Sequence, residues 1–463
     1  APPPPMSLEP LIAALQTFFG KFRILFKIAV IGFLALLLLI PLSMISSVLR
    51  ERLERRNQTV NDITASWGHS QKIIGPILHI PYQVRSKVLR DRKVGDKTEQ
   101  IEVEEISIHR AFFLPQTLSI HGTLEPRKLY RGIYDAIVYS GALTLSGTFN
   151  APAWADLKID PKDVLWDDAI LTLGASDLRG ARQQINVAFG PATFPMTPGT
   201  RTSFPNTGVS ASLKGLDWSS PPFPFSIPLT FNGSNELSFA PLGVDNQVSL
   251  SSPWPDPSFR GAFLPATRDI TSRGFTADWN ISYYGRTYPQ QWIDRAPVNA
   301  DAINASLFGL EFVAPIDFYR AVERATKYGF LFIVLVFTAF FLFEILSRLL
   351  IHPFQYILVG AALCLFYLAL LSLSEFLRLG WAYLLAAAAS WTMITLYSWS
   401  VLKSGPRTGI IALLLGLIYT VLYVLLQLQD FALLVGTIAL FLALAAVMYT
   451  TRNLDWHRPN PQP

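Results

Sequence analysis

The sequence predicts a membrane α-helical bundle of about six transmembrane helices joined to a large, mostly-β soluble domain, built as one β-sandwich or as two smaller β-lobes. Three observations carry this. The chain of 463 residues is 51% hydrophobic and only 15% charged, against about a quarter charged in soluble domains. Its mean hydropathy is +0.34, and the apolar excess is concentrated in residues 24–46 and 328–450. Between those blocks, short runs of period-two alternation recur between turn formers.

The segment Pro2 to Pro5 cannot form a helix, because proline lacks the amide donor and clashes with the preceding turn. Residues 1–6 are therefore expected to be a disordered leader or remnant ahead of Met6, within a cytoplasmic segment 1–23. Lys21, Arg23 and Lys27 precede an apolar run that reaches about Ser46 without a small-residue cleavage site. An uncleaved signal anchor over 24–46 is the expectation.

Only seven Asp, Glu, Lys or Arg residues lie between Tyr328 and Thr450. They fall at breaks that leave lengths of about 20 residues, one bilayer crossing each. The expected spans are 24–46, 328–347, 354–373, 379–401, 409–428 and 431–450, with a tail over 451–463. An even number places both termini on one side. Lys21, Arg23, Lys27, Arg348, Lys403, Arg407, Arg452 and Arg458 would all be cytoplasmic in one orientation, which places the long domain, 47–327, in the periplasm. Arg50, Arg52, Arg55 and Arg56, just after the first span, run against that rule locally. Trp381, Trp399, Tyr328, Tyr449 and Trp456 fall near span ends, where aromatic rings anchor in the headgroup layer.

In the long domain, Leu143, Leu145, Gly147 and Phe149 alternate with Thr144, Ser146 and Thr148. Phe275, Ala277, Trp279, Ile281 and Tyr283 form a second ladder. Ile227, Leu229 and Phe231 form a third, in which Pro228 marks an edge strand. Phe113-Leu114-Pro115 is echoed by Phe263-Leu264-Pro265, a hint of two related halves. Residues 48–66 read as a charged helix leaving the membrane and 315–327 as the helix returning.

The net charge of +5 is not organised as a nucleic-acid-binding module, so no nucleic-acid partner is expected. The one cysteine, Cys364, lies in an apolar run, leaving the β-domain to its own core. No H-E-x-x-H, P-loop, G-x-S-x-G or paired cysteines occur, and the histidines at 69, 79, 109, 121, 352 and 457 lack metal-ligand spacing. Neither a catalytic role nor a metal or cofactor is expected. Asp167, Asp168 and Asp177 read as turn residues. The candidate polar residues of the membrane block are Glu344, Arg348, His352, Glu375, Arg378 and Asp430. A charge at depth faces a partner, a cavity or a pathway. Arg348 lies four residues after Glu344 on one helix face, Glu375 and Arg378 allow a second local pair, and Asp430 suits a cap. Local pairing is favoured over a proton or ion relay.

The chain resembles the CreD family of bacterial inner-membrane proteins from about Lys21 to Trp456. The motifs that carry the likeness include Gly75-Pro76-Ile77-Leu78-His79-Ile80-Pro81, Arg131-Gly132-Ile133-Tyr134 and Trp254-Pro255-Asp256-Pro257-Ser258-Phe259. In the membrane block they include Arg324-Ala325-Thr326-Lys327-Tyr328, Phe340-Phe341-Leu342-Phe343-Glu344, His352-Pro353-Phe354-Gln355-Tyr356, Leu373-Ser374-Glu375 and Thr451-Arg452-Asn453-Leu454-Asp455-Trp456. Phe376 stands where the family pattern has histidine, and Glu323 where aspartate is usual. The resemblance implies an inner-membrane protein supporting envelope integrity under cell-wall stress, with no established reaction. The expected partners are the lipid bilayer and a periplasmic protein, glycan or lipid. A transporter or lipid-handling protein using Glu344 and Glu375 is one alternative, and a membrane-anchored cell-wall enzyme is another. Oligomeric state stays open.

Overall fold

The computed structural model describes residues 23–94, 97–181, 183–313, 318–347, 351–427 and 432–452. Two compact units emerge, one formed by Asn57–Pro315 and the other by Ala1–Arg56 with Ile316–Pro463.

The second unit is helical. Its helices are α1 (Arg23–Leu37) and α2 (Leu39–Trp67), then, after the β-domain and its short helix α3 (Ala300–Ala305), α4 (Phe318–Lys327), α5 (Gly329–Ser347), α6 (Pro353–Ser374), α7 (Leu379–Leu402), α8 (Gly405–Gln427) and α9 (Ala432–Thr451). Five helical stretches among the described residues are long and apolar enough to cross a membrane, the first running from Leu25 to Trp67. The pair α4 and α5, bent by 44°, makes a sixth if it is one span. The helix that carries the anchor thus continues well past Ser46. Its charged part is where the 48–66 helix was expected, and α4 occupies most of 315–327.

Element ends follow local chemistry. At the start of α6, Pro353 needs no amide partner in the first turn. His352 Nδ1 accepts from the Phe354 amide at 3.3 Å, while Gln355 Oε1 accepts from the His352 amide at 3.1 Å. Helix α2 stops at Gly68, whose φ of 137° only glycine adopts readily. A Cβ there would stand 2.7 Å from the Asn232 carbonyl oxygen.

The strands of the β-domain are β1 (Gln71–Val94), β2 (Lys97–Phe113), β3 (Thr117–Arg131), β4 (Tyr134–Phe149), β5 (Ile170–Ala175), β6 (Asn186–Phe189), β7 (Ala192–Pro195), β8 (Thr197–Pro198), β9 (Gly208–Ser212), β10 (Phe223–Ser234), β11 (Glu236–Phe239), β12 (Asp245–Ser252), β13 (Pro257–Gly261), β14 (Thr267–Thr271), β15 (Gly274–Ser282), β16 (Gln291–Ile293) and β17 (Phe308–Phe312). One sheet runs β13-β17-β11-β1-β5-β9-β8, with β2 on β1 and β16 on β2. The other runs β14-β15-β12-β3-β4-β10-β6-β7. Among the described residues only the β1–β11 and β12–β3 pairs are parallel.

Both sheets contribute to a single continuous core, so the two-lobe alternative gives way to one two-sheet domain. The expected ladders point inward: Leu143, Leu145 and Phe149 from β4, Phe275, Ala277, Trp279 and Ile281 from β15, and Ile227, Leu229 and Phe231 from β10 are all buried. Tyr283 departs from its ladder, because β15 ends at Ser282 and the ring is exposed in a 3-10 turn. Pro228 faces Thr144 of β4, while β6 pairs β10 only at Phe225 and Ser226. The donor that proline lacks is therefore not needed on that side. The two Phe-Leu-Pro segments mark equivalent events, since each lies where the chain leaves the first sheet (after β2 and after β13) for the second.

One element leaves the core. The β1–β2 register runs from Leu78/Phe113 to Val94/Lys97, but β5 pairs β1 no further than His79, and β16 pairs β2 only at Ala111–Phe113. From Gln83 outward no third strand among the described residues pairs with either, and the two form a ribbon with free edges.

Candidate polar sites in the membrane block

Glu344 is buried near the end of α5. Its Oε1 is paired with Lys27 Nζ of α1 and accepts the Ile351 amide at 3.2 Å. Its Oε2 accepts the Tyr356 hydroxyl at 3.0 Å. Lys27 Nζ also donates to the Ile351 carbonyl at 3.2 Å. Tyr356 is held edge-on by Phe337, with ring centroids 5.4 Å apart. Every carboxylate oxygen is thus hydrogen-bonded, the condition under which a buried charge is tolerated. The arrangement ties the first span to α5 and to the start of α6.

Glu375 follows the last residue of α6. Its Oε1 accepts the Tyr319 hydroxyl at 3.2 Å and lies 3.7 Å from Arg52 Nε. The Arg56 guanidinium, one turn along α2, stands 5.9 Å from the Tyr319 ring. Two of the four arginines that strained the charge rule therefore have partners in this cluster, and a third, Arg55, pairs with Glu51 at 2.6 Å.

Of the other candidates, His352 is the helix cap described above. Arg378 precedes α7 with an exposed side chain. It lines one end of a groove of about 770 Å³ between α7 and α8, with Trp381, Tyr383, Trp391, Tyr419 and Gln427. Arg348 and Asp430 lie outside the described residues, and with them the Glu344–Arg348 pair and the Asp430 cap. Glu344 and Glu375 are not brought together. They flank opposite ends of α6, whose 22 residues span about 33 Å at about 1.5 Å per residue.

Sequence reasoning missed Lys27, Tyr356, Arg52 and Tyr319, whose only local signal was polarity inside or beside an apolar run. It also missed a chain of interhelical bonds: Tyr419 Oη donates to Ser390 Oγ at 2.8 Å, Ser390 Oγ to the Ala362 carbonyl at 3.1 Å, and Tyr383 Oη to the Tyr419 carbonyl at 2.5 Å. Such bonds hold membrane helices together where lipid removes the hydrophobic drive. Among the described residues no cluster of His, Cys, Asp and Glu is placed to hold a metal.

Residues 23–457 match the family described as Inner membrane protein CreD. The Inner membrane protein CreD of Escherichia coli is 34% identical over 428 residues, covering 91% of each chain. A solved M1 zinc metallopeptidase from Deinococcus radiodurans overlaps 76% of this chain and 95% of its own, at 11% identity and a TM-score of 0.19. That overlap carries no inference about fold or activity. The match over nearly the whole length, with apolar helices flanking a two-sheet domain, places this chain in the CreD family of multi-pass inner membrane proteins.

Proposed function

We propose that the protein supports cell-envelope integrity under envelope or cell-wall stress, with both termini cytoplasmic and the β-domain in the periplasm, where it binds a partner. The family membership supports the envelope role. The binding role rests on the β1–β2 ribbon. Two strands with no third strand or covering helix are marginal in water, and this ribbon shows Leu89, Ile106 and Ile108 to solvent. The register places all three on one face, with Arg85 and Lys87 beside Glu102 and Glu104. Apolar side chains interleaved with both charges on one face, next to free strand edges, suit a protein partner better than a glycan or a lipid.

A photo-crosslinking residue at Ile106 is expected to trap one specific envelope protein in intact cells, and the same probe at Thr144, on the other sheet, is not. A phosphatase fused after Asn150 is expected to be active and one after Pro459 inactive. Indiscriminate crosslinking, or the reverse fusion result, would sink the reading.

A lipid-handling role for the helix block is favoured by one observation, the aromatic groove with Arg378 at its end. Its relay form, through Glu344 and Glu375, is opposed by the length of α6 between them.

A further inference from the structure

On the opposite face of the ribbon, where it leaves the core, three side chains from two distant parts of the chain meet. Ser107 and His109 are two apart on β2 and so share a face. Ser107 Oγ lies 3.1 Å from His109 Nε2. His109 Nδ1 lies 3.1 Å from Asp294 Oδ1, in the segment after β16. Asp294 is locked in place from both sides, since its Oδ2 accepts the Arg110 amide at 3.0 Å and its own amide donates to the Arg110 carbonyl at 3.0 Å. Below the imidazole sits Tyr82, ring centroids 6.0 Å away, whose phenol burial and the Asp294 charge keep protonated.

The tautomer follows from a fourth residue. Arg295 Nη2 is 2.9 Å from His109 Nε2, and a guanidinium can only donate. Nε2 therefore carries the lone pair and Nδ1 the proton, which it gives to Asp294. That is the state in which an imidazole acts as a base toward a serine hydroxyl. The Ser107 hydroxyl also has the Val84 carbonyl within 3.4 Å, but the histidine is nearer.

A second Ser-x-His pair in the same domain shows what is particular here. On β3, Ser119 Oγ lies 3.0 Å from His121 Nε2, so the spacing alone produces that contact. Among the described residues no carboxylate pairs with the other nitrogen of His121. The Asp294 orientation and the adjoining Arg295 belong to the β2 site alone.

We propose that Ser107, His109 and Asp294 form a nucleophile, base and orienting acid that hydrolyse carboxylic esters or amides bearing an anionic group beside the reacting carbonyl. The anion draws exposed Arg295 off Nε2, freeing the lone pair, and the guanidinium then faces the substrate's negative charge. Ser107 Oγ bonds to the carbonyl carbon, its proton passes to Nε2, and the carbonyl π pair moves onto oxygen. Collapse breaks the bond to the alkoxide or amine, which leaves with the proton from Nε2. Water repeats the sequence, releasing the acid and restoring the serine. This face is distinct from the one that carries Leu89, Ile106 and Ile108, so the reaction and the binding role fail independently.

The test uses the full chain in detergent with a fluorophosphonate probe. Labelling is expected at Ser107 by peptide mapping, lost in Ser107→Ala and slowed by about 100-fold or more in His109→Gln and Asp294→Asn. Ser119→Ala should label at the wild-type rate. p-Nitrophenyl hemisuccinate should be cleaved faster than p-nitrophenyl acetate, and Arg295→Ala should abolish that preference, slowing hemisuccinate cleavage through loss of the anion's partner and speeding acetate cleavage because Nε2 is no longer occupied. In Ser107→Cys, iodoacetamide should react with the new thiol faster when His109 is present than in Ser107→Cys/His109→Gln. Folded wild-type protein that takes no label, label that survives Ser107→Ala, or a thiol indifferent to His109 would each overturn the proposal.

Discussion

The two units of this protein are built inside out relative to one another. In the β-domain, Trp279, Tyr139 and Phe149 are fully buried while Thr144, Gln247 and Asn280 face water. In the helix block, Leu413, Phe441 and Trp381 are the exposed side chains, and Glu344, Ser390 and Ser398 are buried. In water, apolar burial supplies cohesion. In lipid that drive vanishes, and polar contacts together with close packing replace it. A buried ionisable group consequently has opposite meaning in the two halves: the Glu344 carboxylate is a fastening in the helix block, whereas the buried His79 of the β-domain is a liability.

The largest expected effect is at the fastening. Lys27→Met leaves the Glu344 carboxylate buried without its cation and should cost about 3–5 kcal/mol, read from denaturant unfolding in micelles. Adding Glu344→Gln removes the charge yet keeps acceptors for Tyr356 and Ile351, so the double variant should recover most of that loss. Equal stability of the single variant and the wild type would show that lipid-facing packing alone holds α1.

The next effect is the liability. His79 is fully enclosed, its Nε2 donating to Thr172 Oγ1 at 3.0 Å, which in turn donates to the Thr200 carbonyl, while Nδ1 has no partner among the described residues. Burial, reinforced by Arg110 and Arg201, lowers its pKa from 6.5 to about 3. The unfolded chain therefore binds a proton that the folded chain refuses between those values. Stability is unaffected above pH 6.5 and falls as pH drops toward 3, by about 2 kcal/mol at pH 5. Thermal unfolding of the full chain between pH 7.5 and 5 should show this slope in its β-structure signal, and His79→Gln should remove it.

The smallest effect is expected from one interhelical bond. Tyr419→Phe deletes the hydroxyl on Ser390 and should cost about 1 kcal/mol. A loss several times larger would mean that the Tyr419–Ser390–Ala362 chain acts cooperatively, and that polar cohesion in the bundle exceeds the sum of its pairs.

Much of the architecture was legible in the residues. The apolar stretches after the β-domain coincide with helices to within a few residues, because hydrocarbon demands about 20 apolar residues per crossing wherever they occur. The ladders through Leu145, Trp279 and Leu229 point inward because alternation sorts faces locally. Where the reading stopped, the cause was distance along the chain. Arg348 could be weighed as a partner for Glu344 because it is four residues away, whereas Lys27 is 317 residues away. The partners of Glu375 come from α2 and α4, and Asp294 lies 185 residues beyond His109. A triad is defined by geometry and role, so motif scanning passed over Ser107.

By itself the amino-acid order determined which stretches enter lipid, which alternate into strands and which family the chain resembles, since these depend on solvent preference and short-range periodicity. The folded structure alone decided that both sheets share one core, that a bare ribbon projects from it, and which charges meet. Contacts between remote residues depend on how elements pack in three dimensions, and no local pattern encodes that.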